Sequence, residues 1–451
     1  MPRPHFAYVF ERFPSFTQTF CAREVLELQR QGTRLLLFSI RSTGEETLRH
    51  FPQELIDQVI TLPPADVLTR EVEAMKERRE LPQAMVLTLR GWSGRPDKAR
   101  IYEAAWIGQK LRAAGVRHVH THFAGLAART AWWIRQFYGL SYSFTGHAND
   151  LFCPDEATGL KLPRLIQDAA AVIAVSDYTA AWLRENHPAA ADRIHRVYNG
   201  LDLDPITQAT AGTVKITPPL IFSVGRLIEK KGFDDLIRAC ALLRDQGLPF
   251  QCRITGDGPL QDALASQIQT AGLNGQVTLT GPLSQPDIIQ QLGQATVFAL
   301  PCVTEADGGR DVLPTVLMEA MAAALPCVST TLAGVPESVP WRGEVRMELR
   351  GLASWGAAAG VGKSGSEALR WTAAETFWIS VPSRMILPPA SDSGRRSRPI
   401  TESAVMLLPQ PDSPTSPSVC PLAMSKLTPS TALSNWCGVP SITRLSQGAD
   451  T

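Results

Sequence analysis

Apolar residues along this chain fall into short runs, separated by longer segments in which they recur every three or four positions. Short runs rich in β-branched and aromatic residues read as buried strands, and the longer period reads as amphipathic helix. The pattern predicts strands over His5–Phe10, Arg34–Ile40, Arg117–Thr121, Ser141–Thr145, Ala171–Val175 and Ile194–Tyr198. Between them it predicts helices over Gln18–Gln31, Tyr102–Ala114, Ala124–Phe137 and Tyr178–Glu185. Alternation of this kind specifies a parallel sheet covered on both faces. Asp202–Pro218, with its prolines, threonines and glycine, breaks the pattern and reads as a linker.

The alternation then resumes. Strands are predicted over Pro219–Val224, Gln251–Thr255, Gln276–Thr280, Ala295–Leu300 and Pro326–Thr330, with helices over Phe233–Arg244, Leu260–Ala271 and Pro314–Ala324. A ligand of such a unit lies at the carboxyl ends of the strands. The organisation expected is therefore an α/β domain over 1–205, a linker over 206–218, a second α/β domain over 219–337 that lacks some of its elements, and an atypical tail over 338–451. The tail is crowded with proline and serine, as in Leu408–Ser418, yet tryptophan recurs at 341, 355, 371, 378 and 436. Disordered tails are poor in tryptophan, and folded domains repeat their apolar residues. Neither description fits, so the expectation is a segment read in an altered frame or fused from elsewhere, with a genuine tail as the alternative.

With 451 residues, two domains are the expectation. The 44 basic and 43 acidic residues nearly balance, which argues against a nucleic-acid partner. The first residues lack the basic and apolar stretches of a signal peptide, and no run has the length of a membrane span. The eight cysteines form no Cys-x-x-Cys pair, which fits reduced thiols and a cytoplasmic location. Trp132, Trp133 and Arg135 cluster on one predicted helix; partial burial accounts for them, and peripheral contact with the inner membrane face is the other reading.

Three strand-to-helix turns of the second unit carry candidate chemistry. In Ser223–Phe233, Gly225 permits a turn, Arg226 and Lys231 follow, and Gly232 opens a helix; two cations beside a helix start suit a diphosphate. Ile254–Leu260 places Gly256, Asp257 and Gly258 where backbone approaches a flat ligand. Asp307–Ala322 sets Asp311 before a helix begun at Pro314 and Glu319 more than a turn inside it. Two ionised carboxylates are strong acceptors for the paired hydroxyls of a sugar, whereas the plainer reading makes them a dipole acid and an exposed helix acid. His118, His120 and His122 alternate along a strand and so share one side of it; with no cysteine or acid completing them at metal spacing, no metal is expected. His147, beside Gly146 at a strand end, is the better functional histidine. Ala357–Ser364 mimics a phosphate-binding loop, but no buried strand precedes it, and the match reads as chance.

Taken together, the three turns resemble the retaining nucleotide-sugar glycosyltransferases of the GT-B fold, specifically glycosyltransferase family 4. The acid-x7-acid motif falls on Asp311 and Glu319, and Ala324–Glu337 looks like its continuation. In the first unit, Phe13–Phe20 followed by Glu24, His118–Gly125, Ser143–Phe152, Val175–Thr179 and Tyr198–Asp202 resemble the exopolysaccharide-building branch. The resemblance implies two Rossmann-like doubly wound domains. It implies that Arg226 and Lys231 hold the donor diphosphate in place of a metal, that Glu319 binds the ribose, that Asp311 holds the donor sugar, and that His147 lies beside the reacting centre. It also implies transfer, with retention, from a nucleotide-sugar to a saccharide or polyprenyl-linked oligosaccharide, and no cofactor. Where this chain has Asp311 and Val312, the family carries glutamate and glycine. The branched Val312 side chain and the unmatched tail make a catalytically impaired remnant that binds sugar nucleotide the rival expectation.

Overall fold

The computed structural model describes residues 6–91, 97–153, 160–338 and 377–380. Two α/β units, changing over at Gly200–Leu201, each carry one sheet.

The strands of the first unit are β1 (Phe6–Arg12), β2 (Leu35–Arg41), β3 (Val59–Thr61), β4 (His118–His122), β5 (Ser141–Gly146), β6 (Ala171–Ala174) and β7 (Ile194–Arg196). They pair in the order β3-β2-β1-β4-β5-β6-β7, parallel throughout. The order reverses between β1 and β4, which opens a crevice at their carboxyl ends. Strand β1 shows why the chain forms a central strand here: Phe6, Ala7, Tyr8, Val9 and Phe10 are all buried, because both faces of the sheet are covered. Ala7 and Val9 join one apolar layer, with Phe38, Trp106 and Phe144. Phe6, Tyr8 and Phe10 join the other, with Cys21, Val25 and Leu28 of the helix Thr19–Arg30. The periodicity missed β3 and the helices Ala65–Glu77, Gln83–Gly91 and Leu162–Asp168. The tryptophan pair is packed: Trp133 is buried, and Trp132 donates its indole N–H to Asp168 at 2.8 Å.

The second unit contains β8 (Leu220–Val224), β9 (Gln251–Thr255), β10 (Val277–Gly281), β11 (Val297–Leu300), β12 (Cys327–Thr330) and β13 (Phe377–Ser380). Their order is β10-β9-β8-β11-β12-β13, parallel except for the antiparallel β13. The reversal falls between β8 and β11. Two sequence expectations need correction. The stretch read as a linker folds in part into the helix Asp204–Thr210, because Ile206 finds cover in this unit's core. The tail, in which no strand was expected, supplies β13. The loop-like Ala357–Ser364 and the tryptophans of the tail other than Trp378 lie outside the described residues.

Candidate functional site

Three turns of the second unit leave the carboxyl ends of the adjacent strands β9, β8 and β11. They are fastened to one another by backbone. Gly256 has φ +142°, and a Cβ there would lie 1.9 Å from the Gly225 carbonyl oxygen. Only glycine permits that approach. Leu227 N–H donates to the Asp257 carbonyl at 2.7 Å, and Leu260 N–H to the Leu227 carbonyl at 3.1 Å. On the other side Gly232, at φ +64°, lets the β8 turn lie against Pro301, whose carbonyl oxygen would be 1.9 Å from a Cβ. Val303 N–H closes that contact by donating to the Lys230 carbonyl at 3.0 Å.

Within this frame the sequence candidates Lys231 and Asp311 meet. Lys231 Nζ is 2.5 Å from Asp311 Oδ2, and Lys230 Nζ is 3.5 Å from Oδ1. Cys302 Sγ donates to Asp311 Oδ2 at 3.6 Å. Burial pushes the Asp311 carboxyl up, but Lys231 and Lys230 outweigh it and hold the group below its ordinary value. The same carboxylate raises Lys231 against its own burial. Two lysines face one carboxylate, so the cluster keeps a net positive charge. Arg226 and Asp257 are exposed on the same turns, with Gly258 beside them. Glu319 is 4% exposed on the helix Thr315–Ala322, which removes the reading of it as an exposed surface acid.

The two helix starts differ. The helix Phe233–Asp245, expected to help hold an anion, carries Asp234 and Asp235 in its first turn, both paired with Arg238. The helix Thr315–Ala322 carries no acid in its first turn, so its positive end is uncompensated there. Val312 is buried, with 2% of its surface exposed. Its side chain therefore packs inward.

In the first unit the alternation of the β4 histidines is explained by β5. The register sets His118 opposite Ser141, His120 opposite Ser143 and His122 opposite Thr145. The His118 ring nitrogens lie 2.8 Å from the hydroxyls of Ser141 and Ser143. Those of His120 lie 2.7 Å from Ser143 and 3.1 Å from Thr145. Burial pushes His118 down to about 4 and His120 to about 3, so both are neutral near pH 7. These two are structural. His122 instead reaches His147, Nδ1 to Nε2 at 3.0 Å, and Glu24, Nε2 to Oε2 at 3.5 Å. Asp150 fixes the loop that bears His147. Its carboxylate accepts from the backbone N–H groups of Ala124 and Ala148 at 2.9 Å and of His147 at 3.1 Å.

Sequence reasoning missed Lys230, Asp150 and the neighbours of Glu24. The acid that spacing did not supply to the histidines comes from the helix Thr19–Arg30: ligand atoms of Glu24, His120 and His122 lie within 4.8 Å of one another. Glu24 and His120 are engaged in hydrogen bonds, whereas His122 Nε2 has none and faces Glu24 at 3.5 Å. Ser143 and Thr145 engage His120, while Tyr8 donates its hydroxyl to Glu24. The only signal for Lys230 was its place beside Lys231.

Two doubly wound parallel sheets, each with its candidate groups at the carboxyl edge, define a GT-B architecture. Residues 22–205 match the family described as Glycosyltransferase Family 4, and residues 209–340 match Glycosyl transferases group 1. The chain belongs to these glycosyltransferases. It is 44% identical over 123 residues to the putative colanic acid biosynthesis glycosyltransferase WcaL of Escherichia coli K12, and 43% identical over 122 residues to the amylovoran biosynthesis glycosyltransferase AmsK of Erwinia amylovora. Each match covers 27% of this chain and 30% of the relative, so the chain spans under a third of those relatives' length. The crystal structure of Anabaena HepE in complex with UDP shares the fold, with TM-score 0.51 and 16% identity, covering 74% of this chain and 82% of that one. Among the described residues no helix is long and apolar enough to cross a membrane.

Proposed function

We propose that this chain is a glycosyltransferase of exopolysaccharide or cell-surface polysaccharide biosynthesis. It moves a sugar from a nucleotide-sugar donor to a saccharide or polyprenyl-linked oligosaccharide acceptor, with retention of anomeric configuration. The observation that carries this reading is the Asp311 carboxylate held between Lys230 and Lys231 at the mouth of the second sheet. Such a cluster meets a diphosphate with positive charge and a sugar with a fixed acceptor. Arg226 and Lys231 take the diphosphate and stabilise the charge that develops on the departing nucleotide, which is the largest single term in many transfer reactions. No metal is required for that role. Glu319 accepts from the ribose hydroxyls, Asp311 from the donor sugar, and the turn Gly256–Asp257–Gly258 admits the flat part of the ligand. His147 of the first unit contacts the transferred sugar. The polysaccharide assignment draws on the colanic acid and amylovoran relatives. The work proposed takes place in the cytoplasm, with peripheral contact at the inner membrane face where lipid-linked acceptors lie.

The test is transfer from a panel of nucleotide-sugars to a lipid-linked oligosaccharide, with the anomeric configuration of the product read by NMR. Glu319→Ala is expected to abolish transfer while leaving the circular dichroism spectrum unchanged; undiminished transfer would refute the assignment. Val312, which stands where the family pattern carries glycine, favours a second reading, a binding remnant. That reading predicts nucleotide-sugar binding without turnover.

A further inference from the structure

The rings of His122 and His147 touch, and the order of groups around them fixes where protons sit. Glu24 presents its carboxylate to His122 Nε2 at 3.5 Å, and Tyr8 donates its hydroxyl to the other carboxylate oxygen. No hydrogen bond closes at 3.5 Å, but a carboxylate facing the ring nitrogen only accepts and so favours a proton on Nε2. His122 Nδ1 faces His147 Nε2 at 3.0 Å, and one proton must lie between them. Two arrangements satisfy this. If His122 is neutral, its Nδ1 is a lone pair, His147 donates through Nε2–H, and His147 Nδ1 is left as an acceptor. If His122 is an imidazolium, it donates through Nδ1–H, and His147 keeps its own proton on Nδ1.

The surroundings select the second. His122 is buried against Tyr8, Phe10 and Phe20, with the His120 ring edge-on at 5.4 Å and the Cys21 thiol beside it. Burial alone would push His122 down; its neighbours Cys21 and Glu24 raise it, and of the two Glu24 is the one charged near neutral pH. Burial also raises the Cys21 thiol, which is uncharged at neutral pH and leaves Glu24 as the counter-ion. Glu24 is brought down to about 2 by His122 in spite of its own burial. Burial and the charge on His122 push His147 well below its ordinary value. The rings of Phe20 and Phe123, with centroids 4.6 and 4.4 Å from that of His147, hold its plane.

We propose that Glu24 and His122 are positioning residues that hold His147 as the neutral Nδ1–H tautomer, making it a hydrogen-bond donor to a hydroxyl oxygen of the transferred sugar. The tautomer rests on the Glu24–His122–His147 contacts of the first unit and the charge they favour on His122, while the identity of its partner rests on the function proposed above. A donor set in this way keeps one role across the physiological range, where an unassisted histidine would titrate.

The experiment is long-range proton–nitrogen NMR on the full chain labelled with 15N-histidine, with the two rings assigned through His122→Gln and His147→Gln. From about pH 6 to 8, where an ordinary histidine titrates, the expected spectrum shows His122 as imidazolium and His147 protonated at Nδ1. His147 protonated at Nε2 in the unaltered protein would overturn the proposal without recourse to any variant. Glu24→Gln removes the counter-ion and retains the shape. It should bring the titration of His122 into that range and switch His147 to Nε2–H above it. The rate kcat/KM should then fall about tenfold per pH unit beyond the new midpoint, as for a single required proton. Glu24→Asp should restore the imidazolium and the flat profile. A Glu24→Gln protein with unaltered tautomer and profile would also refute the idea. Addition of nucleotide-sugar should shift the His147 signals. If it does not, the sugar contact fails and the role of His147 in transfer fails with it, while the tautomer stands.

Discussion

Replacing Lys231 with methionine keeps the length of the side chain and removes the cation that faces Asp311. The two side chains are 14% and 13% exposed, so the carboxylate left behind has little access to water. Removing one partner of a buried pair costs about 3–5 kcal/mol. Lys230, 3.5 Å from the other carboxylate oxygen, remains and brings the expected loss to about 2–3 kcal/mol at pH 7. The pH dependence follows from the sign of the shift. The Asp311 carboxyl lies below its ordinary value in the fold, so its contribution is complete above the unfolded value and is lost as pH falls through the folded one. In the Lys231→Met protein, burial is no longer offset by that neighbour and the folded value rises. As pH is lowered to about 4.5, toward the ordinary carboxyl range, Asp311 takes up its proton sooner in the altered protein than in the unaltered one, and the gap between them shrinks. Urea unfolding read by pulsed hydrogen exchange in β8 and β9 peptides reports the second unit by itself. A loss below about 1 kcal/mol at pH 7, or an equal loss at both pH values, would refute the reasoning.

Two further substitutions probe the frame. Ser143→Ala removes the hydroxyl shared by His118 and His120, and the orphaned buried nitrogens should cost about 2 kcal/mol in thermal unfolding; a change within about 0.5 kcal/mol would show that the column is not held by that hydroxyl. Gly256→Ala places a Cβ against the Gly225 carbonyl at a positive φ, and should cost about 3 kcal/mol and lower nucleotide-sugar affinity at least tenfold by calorimetry. Unchanged affinity would separate the turn from donor binding.

The inner strands of both sheets were legible because parallel strands buried on both faces leave continuous apolar runs, as in β1 and β8, whereas the edge strands β3 and β13 were not. The helix Ala65–Glu77 was not legible, since only Leu68 and Val72 are buried in it and its remaining positions are polar or half-covered. Turn glycines and charged residues of the second unit could be read locally, because each lies within a few positions of a strand end. Glu24 could be placed on a helix but not beside His122, since that contact crosses from one strand–helix unit to the next, at the reversal of strand order. Lys230 and Lys231 looked alike in the sequence. The turn of backbone at Gly232 buries both against Asp311.

The histidine column on β4 also acts as a registration key. A slip of one residue between β4 and β5 would turn His118 and His120 from Ser141 and Ser143 toward Tyr142 and Phe144, leaving buried imidazoles without hydroxyl partners. The serines and threonine of β5 therefore do more than satisfy polar groups. They admit one alignment of the two central strands, and that alignment ends β4 where His122 comes within hydrogen-bond reach of His147. Correct pairing of the sheet and correct placement of its functional ring are thus decided by the same three hydroxyls.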